Sequence, residues 1–296
     1  MQKDSSRQEG LSRKWEDIRR SWYKFSRNPL SIMGLVVICI IMFLAIFAPF
    51  VSPYPESASK FINFYEASQP PSSTYLCGTD VFGRDILTRI FFGCRFSLMM
   101  GATVLALIVP VGVALGLIAG YYRGSWLDTV IMRITDIFIA LPPLILALAV
   151  CSVLTPGIFH AMLAISVAWW PWYTRMVYGI ASSLKGEFFV QAAEVTGASR
   201  THILFREILS NCVAPIFTKM SLDMGWVILI GASLSFVGLG AQPPTADLGS
   251  MVADGSKYLP DQWWISVFPA FAIMLIVLGF NLLGDGVRDA LGAERG

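Results

Sequence analysis

Charge is scarce in this 296-residue chain: Asp, Glu, Lys and Arg together make up 14% of it, against 55% apolar residues. A typical soluble domain carries about 25% charged residues, so this composition leaves too little polar surface for a single water-soluble globule. Disorder is excluded as well, because disordered chains combine low hydrophobicity with high net charge, and the net charge here is only +2. That small charge also gives no indication of a nucleic-acid partner. The remaining class is an integral membrane protein.

Side chains that bind metals or perform catalysis are equally sparse. The five cysteines are odd in number and show no C-x-x-C spacing, which argues against a disulfide scaffold and a zinc site. His160 and His202 are the only histidines, and neither HExxH nor GxSxG occurs. The dipeptide Gly-Lys is absent, so the chain has no phosphate-binding P-loop of its own. We therefore expect no catalytic residue, metal site or cofactor in this chain.

The apolar residues fall in blocks that are long enough to cross a bilayer. A helix needs about 20 residues to span the hydrocarbon, and helices satisfy their backbone polar groups internally, as lipid requires. The block at 137–174 is long enough for two crossings, with Thr155-Pro156-Gly157 as the expected break. The prediction is an all-α integral membrane protein with six transmembrane helices. The blocks without Lys, Arg, Asp or Glu are 30–51, 97–119, 137–174, 224–240 and 263–284.

Lys and Arg indicate the orientation, since cytoplasmic segments carry an excess of them. Eight lie in residues 1–29, which places the N-terminus in the cytoplasm, and six crossings return the C-terminus to the same side. Three arginines before the second span, Arg84, Arg89 and Arg95, are an exception to this pattern. The expected order is a cytoplasmic segment at 1–29, a retained first helix at 30–51, a periplasmic loop at 52–96, a core of five helices at 97–284, and a cytoplasmic tail at 285–296.

A cytoplasmic loop at 181–212, inside this core, is the most informative segment. We expect two short helices, the first ended by Gly197 in the left-handed conformation and the second N-capped by Ser199. From the pattern alone, an ordinary interfacial loop is as good an interpretation as a docking surface for another protein. Helical periodicity places three apolar residues of the second helix on one face: Ile203, Leu204 and Ile208.

The residues of this loop resemble the EAA loop of ABC-importer permeases, whose pattern is E-A-A, three residues, G, nine residues, I-x-L-P. Ala192, Ala193, Gly197 and Leu209 match at the right spacing. In that family the loop is the coupling helix that seats in a groove of the ATPase subunit. The departures are Gln191 for the acid, Glu207 for Ile and Ser210 for Pro. The resemblance implies this role for Gln191, Ala192, Ala193, Glu194, Gly197, Ala198, Ser199, Arg206, Glu207 and Leu209.

Three further segments resemble the dipeptide/oligopeptide permeases of the "C" subunit type. Residues 76–89 are similar to LGTDxxGRDxxSR, residues 235–245 to SFLGLGxQPPTP, and residues 280–291 to FNLLGDGLRDALDP. The last match departs at Gly292-Ala293, which replace the final DP. The resemblance runs in order over nearly the whole chain. It implies the fold of a type I ABC importer permease and a transport subunit, not an enzyme.

Two local features carry predictions of their own. The first is a group in the outer loop whose glycines suit tight turns and whose ionisable residues suit a local ion-pair cluster, with substrate contact as the less favoured alternative. The second is Pro142-Pro143 within the third span, which should kink that helix and either line a pathway or serve packing. The outer-loop cluster consists of Gly78, Asp80, Gly83, Arg84 and Asp85.

The family resemblance implies half of a translocation pathway in the bacterial inner membrane. The expected partners are a homologous "B"-type permease, two ATP-binding subunits that hold ATP and Mg²⁺, a periplasmic or surface solute-binding protein, and membrane lipid. The expected substrate is a peptide, with nickel or metal-chelate complexes and glutathione as alternatives. A secondary transporter that needs no ATP would show inverted repeats with broken helices or charges at mid-membrane, and the sequence shows neither.

Overall fold

The computed structural model describes residues 19–20 and 22–292, and this part of the chain is helical without a β-strand. The predictions made for residues 1–18, 21 and 293–296 lie outside the described residues. Three short helical turns, Ala48–Val51, Pro55–Ala58 and Phe64–Glu66, interrupt the segment between the first two long helices. The main helices are α1 Pro29–Ile46, α2 Ile86–Tyr121, α3 Trp126–Ile139, α4 Pro143–Val153, α5 Ile158–Leu184, α6 Phe188–Val195, α7 Arg200–Phe236, α8 Leu248–Ser256 and α9 Trp264–Gly292.

Four of the described helices are long and apolar enough to cross a membrane: α1, α2, α7 and residues 264–290 of α9. Helices α3 and α4 meet at 89°, and they make a fifth span only if the bent pair is taken as one. Helix α5 has 27 residues, but its middle carries Trp169, Trp170, Trp172 and Arg175, which lower its hydropathy. The predicted all-helical membrane architecture is confirmed, with four to five apolar spans.

The helix boundaries follow from local capping and from proline. Helix α2 starts well before the uncharged block at 97, because the Asp85 side chain accepts a hydrogen bond from the Thr88 backbone N–H at 2.8 Å and caps the helix there. The break predicted at Thr155-Pro156-Gly157 is confirmed, since α4 and α5 end and begin on either side of it. Pro142-Pro143 does more than kink a span: Pro143 starts a new helix, for which its missing N–H is no loss.

The centre of the bundle is the contact between α2 and α5, and three glycines permit it. Gly112, Gly116 and Gly120 repeat at intervals of four residues and therefore share one face of α2. A Cβ atom on Gly116 would lie 2.6 Å from the Thr174 carbonyl oxygen of α5. The two backbones thus approach more closely than side chains would allow, as in membrane helix pairs with small residues at every fourth position. This G-x-x-x-G-x-x-x-G spacing is visible in the sequence itself.

The helical bundle has two ends, which we call the loop end and the hairpin end. The loop end carries residues 52–85 and 237–263, which are joined where Trp264 Nε1 donates a hydrogen bond to the Thr79 carbonyl oxygen at 3.3 Å. The hairpin end carries α6 and the start of α7. Both described chain ends also lie at the hairpin end, where Asn28 Nδ2 donates to Asp289 Oδ2 at 3.2 Å.

Candidate functional site

The predicted loop folds as a helical hairpin, formed by α6 and the first turns of α7. The Ala198 N–H donates to the Ala193 carbonyl and the Gly197 N–H to the Glu194 carbonyl, both at 3.0 Å. This is the Schellman arrangement, which needs a left-handed residue after the helix, and Gly197 has φ +79°. The Ser199 side chain then accepts from the His202 N–H at 3.2 Å. The predicted helix end at Gly197 and the predicted cap at Ser199 are both confirmed.

The second arm of the hairpin differs from the prediction in its length. Instead of a short separate helix, the chain continues from Arg200 to Phe236 as one helix, which accommodates Pro215 in its interior. A π-helical turn at Ile203–Ile208 lies within this arm. Such single π turns are frequent at functional positions in helices. The hairpin is therefore the exposed end of a helix that continues through the bundle.

One face of the hairpin is anchored on the ends of α2 and α5. The predicted apolar face is confirmed, since its three residues are buried together with Val190 of α6, in a cluster that includes Leu117 and Val177. Two polar contacts support this packing: Tyr121 Oη donates to Glu194 Oε1 at 3.1 Å, and the Lys185 ammonium lies 5.4 Å from the centre of the Tyr121 ring. The buried residues of the face are Ile203, Leu204 and Ile208.

The opposite face of the hairpin exposes large apolar side chains. Phe188 is 87% exposed and Val195 is 88% exposed, at the two ends of α6, and Phe205 is exposed on the second arm. These three residues lie outside the matched positions of the family pattern, although Phe188 and Val195 flank the matched Ala192-Ala193 pair. The residues predicted from the family pattern that are exposed here are Gln191, Ala192, Glu194, Gly197, Ser199 and Arg206, and those that are half-buried are Ala193, Ala198, Glu207 and Leu209.

The predicted outer-loop cluster lies at the loop end, directly before α2. Asp80 is its centre: Oδ1 accepts from the backbone N–H groups of Phe82 and Arg84 at 2.9 and 3.0 Å, and Oδ2 lies 2.7 Å from Arg84 Nε. Arg89 Nε is 3.8 Å from the same Oδ2. The ion pair expected between Asp80 and Arg84 is present, and Arg89 joins it although it was not assigned to the cluster.

Asp85 departs from the predicted cluster. Its carboxylate caps α2 through Thr88 and makes no ion pair with Arg84 in the described structure. Burial raises the pKa of the Asp85 carboxyl, while the hydrogen bonds with Thr88 act in the opposite direction. Of the two glycines, Gly83 has φ +75°, and a side chain there would collide with the Asn63 backbone. Both the backbone conformation and the lack of space therefore require glycine at position 83. Gly78 also has a left-handed backbone conformation, with φ +76°.

Candidate metal ligands do not cluster in residues 19–20 and 22–292. No group of three or more His, Cys, Asp or Glu side chains in this part could hold a metal ion. Cys39, Cys77, Cys94 and Cys151 are free thiols, and burial raises the pKa of the Cys77 thiol to about 11. At the bend between α3 and α4, Pro142 is exposed and Pro143 is half-buried. In the same region the Asp136 carboxylate of α3 pairs with Arg175 of α5.

The fold defines a class of protein: a membrane protein built from a bundle of long apolar helices, with a helical hairpin at one end. Residues 112–294 match the family described as "Binding-protein-dependent transport system inner membrane component". Residues 17–71 match the "N-terminal TM domain of oligopeptide transport permease C". The chain belongs to the family of binding-protein-dependent transport system inner membrane components. Members of this family are permease subunits of ABC transporters and not enzymes, since separate ATPase subunits hydrolyse ATP.

Relatives cover almost the whole chain. The probable D,D-dipeptide transport system permease protein DdpC of Escherichia coli K12 is 40% identical over 269 residues, which are 91% of this chain and 89% of that protein. The dipeptide transport system permease protein DppC of Alkalihalophilus pseudofirmus is 42% identical over 275 residues, or 92% and 88%. The glutathione transport system permease protein GsiD of Pectobacterium atrosepticum is 37% identical over 273 residues, or 92% and 90%.

A solved structure shares the fold. A chain of the MetNI methionine ABC transporter, crystallised in an inward-facing conformation, superposes with a TM-score of 0.58 and 18% sequence identity. The match covers 69% of this chain and 97% of that one. At this identity the likeness concerns the fold alone, and it is that of an ABC importer permease, as the sequence resemblance implied.

Proposed function

We propose that this chain is the C-type transmembrane subunit of an ATP-driven importer of short peptides. The relatives described above are named for D,D-dipeptide, dipeptide and glutathione transport, at 37 to 42% identity over about nine tenths of the chain. Glutathione is itself a tripeptide, so these substrates share one chemical class. Nickel or metal-chelate import is the less supported alternative, because the relatives named here are permeases for peptides.

The observation that carries the coupling role is the two-faced hairpin. One face is buried on α2 and α5, and the other exposes Phe188 and Val195 almost completely. In the proposed cytoplasmic position of the hairpin, large exposed apolar side chains next to a polar rim fit a protein-docking surface. The occupant that we propose is a groove on an ATPase subunit. The second arm is the first part of α7, which continues to Phe236. A movement of the docked ATPase would therefore tilt a helix that reaches the opposite end of the bundle.

The proposed topology has six crossings, with both termini and the hairpin in the cytoplasm and the loop end in the periplasm. Its support is geometric: α1, α2, the α3–α4 pair, α5, α7 and α9 run alternately between the two ends. Helix α5 has 27 residues and is about 40 Å long, which is enough for one crossing. It can be less apolar than its neighbours because α2 covers one side of it. The proposed segments are those expected from the sequence: 1–29, 30–51, 52–96, 97–284 and 285–296.

The proposed assembly follows from this topology. A homologous B-type permease would supply the other half of the pathway, two ATPase subunits with ATP and Mg²⁺ would bind at the hairpin end, and a solute-binding protein would deliver substrate to the loop end. The complex would reside in a bacterial inner membrane. Pro142-Pro143 is proposed to line the pathway, since the exposed 89° bend leaves this part of the chain without a continuous helix.

Replacing Gly197 tests the coupling role. A Cβ at this position would meet no atom within 4 Å, so Gly197→Val acts only through the left-handed backbone, which a β-branched residue disfavours by at least about 1–2 kcal/mol. We expect this variant to insert normally but to lose both peptide uptake and the stimulation of ATPase activity by substrate-loaded binding protein. Gly197→Asn should retain both, because Asn tolerates this conformation.

Gly124→Val is the matched control. Gly124 also has a positive φ, +86°, and open space around it, but it lies in the α2–α3 turn and outside the hairpin. It should retain ATPase stimulation. Normal uptake by Gly197→Val, or an equal loss in Gly124→Val, would contradict a specific role of the hairpin.

A further inference from the structure

A cleft of about 720 Å³ opens at the loop end of the molecule. It lies between residues 59–62, the outer-loop cluster before α2, and residues 243–258. Sites for small ligands measure roughly 300–1,000 Å³ and combine apolar walls with a few convergent polar groups. The cleft is thus of a size that would hold a short peptide, and the family resemblance assigns no role to it.

The floor of the cleft carries more positive than negative charge. Arg84 and Arg89 share one carboxylate, that of Asp80, with Nε to Oδ2 distances of 2.7 and 3.8 Å. Both side chains are largely withdrawn from water, at 11% and 5% exposure. Arg89 Nη1 donates to the Ser57 carbonyl at 3.3 Å, while its buried Nε has no hydrogen-bond partner among the described residues. Asp247 and Asp254 also act on the charge of Arg89 through space, but among the described residues only Asp80 forms an ion pair with the two guanidinium groups. The floor can therefore accept a further anion.

The rim of the cleft offers both signs of charge. Lys60 is exposed on one side. On the other side, Asp254 and Lys257 form an exposed ion pair at 3.0 Å. The walls between them are apolar and aromatic. They include Phe61, Phe82, Pro244 and Tyr258.

We propose that this cleft binds the transported peptide as a zwitterion before it enters the pathway. The α-carboxylate lies toward Arg84 and Lys60, where it completes the unequal pairing at the floor. The α-ammonium group lies at Asp254, and side chains contact the aromatic walls. This inference depends on the proposed function, because the cleft is at the end opposite the hairpin, where a delivered peptide would arrive.

The test measures peptide binding to the assembled permease–ATPase complex in nanodiscs, without the solute-binding protein. Saturation-transfer NMR compares dialanine, its C-terminal amide and its N-acetyl form, each up to roughly 10 mM, the range of weak binding. We expect dialanine to bind, and each modification to weaken binding at least about tenfold, since each removes one charge-assisted contact.

Rim variants locate the site without disturbing the floor. Lys60→Gln should weaken dialanine but have little further effect on its amide, and Asp254→Asn should weaken dialanine but have little further effect on N-acetyl-dialanine. Asp261→Asn is the matched control, since Asp261 is exposed on the same loop and outside the cleft, and it should change nothing.

Three results would overturn the inference. They are no binding of dialanine, equal binding of all three ligands, or binding that the rim variants leave unchanged, which would place the peptide elsewhere. A loss of binding-protein docking alone in these variants would instead identify the cleft as a surface for that protein. Peptide uptake by the complete system, measured in parallel, separates these outcomes from a failure of the proposed function. Uptake would persist if only the cleft assignment were wrong.

Discussion

The close contact between α2 and α5 makes a sharp prediction about Gly116. A Cβ there would lie 2.6 Å from the Thr174 carbonyl oxygen, 2.8 Å from Val177 Cβ and 3.1 Å from the Tyr178 nitrogen. Two of these three atoms belong to the α5 backbone, so they cannot rotate away as a side chain would. For Gly116→Ala, the two helices would have to separate by about 0.5–1 Å to reach an ordinary contact distance.

The expected cost combines two opposing effects. Overpacking of a tight interface costs roughly 1–3 kcal/mol, and Ala regains up to about 1 kcal/mol over Gly through its higher helix propensity. We therefore expect Gly116→Ala to lower the free energy of unfolding by about 1–2 kcal/mol, a difference that equilibrium unfolding of the purified complex in SDS can resolve. The cost should rise for larger side chains.

Gly179→Ala provides the control on the facing helix. Gly179 lies within α5, and a Cβ there would meet nothing within 4 Å. This variant should be neutral or more stable by up to about 1 kcal/mol, through propensity alone. If Gly116→Ala proved as stable as Gly179→Ala, the close approach of α2 and α5 would not be a determinant of stability, and the reasoning would fail.

Two further predictions concern the two ends of the molecule. Asp80→Asn should lower the free energy of unfolding, measured by heat or SDS, by about 3 kcal/mol, because it leaves two largely buried guanidinium groups without their carboxylate. Asp254→Asn, at an exposed ion pair, should stay within about 1 kcal/mol of wild type. Equal effects of the two substitutions would contradict this view of the cluster. At the hairpin end, Val195→Asp should abolish co-purification of the ATPase and leave unfolding unchanged within about 0.5 kcal/mol, whereas Val190→Asp should destabilise the fold itself because Val190 is fully buried. Undiminished ATPase binding by Val195→Asp would argue against this docking face.

Local rules were sufficient to predict the turn of the hairpin. Gly197 and Ser199 satisfy backbone groups within a few residues of themselves, so their conformations can be derived from helix capping alone. The same holds for the break at Thr155-Pro156-Gly157. These features depend on neighbouring residues in the sequence and not on distant ones.

Features that depend on tertiary neighbours could not be predicted in the same way. Asp85 was expected in an ion-pair cluster, but the carboxylate of Asp80 already occupies the nearby guanidinium groups and Asp85 caps α2 instead. The eight residues of α6 are apolar on several sides, so periodicity does not tell which valine faces the bundle: Val190 is buried and Val195 is exposed. The angle at Pro142-Pro143 depends on how α4 packs against α5, since proline fixes only the local backbone.

In the proposed function, this chain moves peptides only when separate ATPase subunits act on it. The most direct measurement is uptake of a labelled dipeptide into proteoliposomes that contain this chain, a B-type permease and the binding protein, with or without the ATPase subunits and ATP. We expect uptake only when both ATPases and ATP are present, and loss of uptake on substitution of Gly197 by Val. Peptide accumulation without the ATPases or without ATP would contradict it and would favour a secondary transporter.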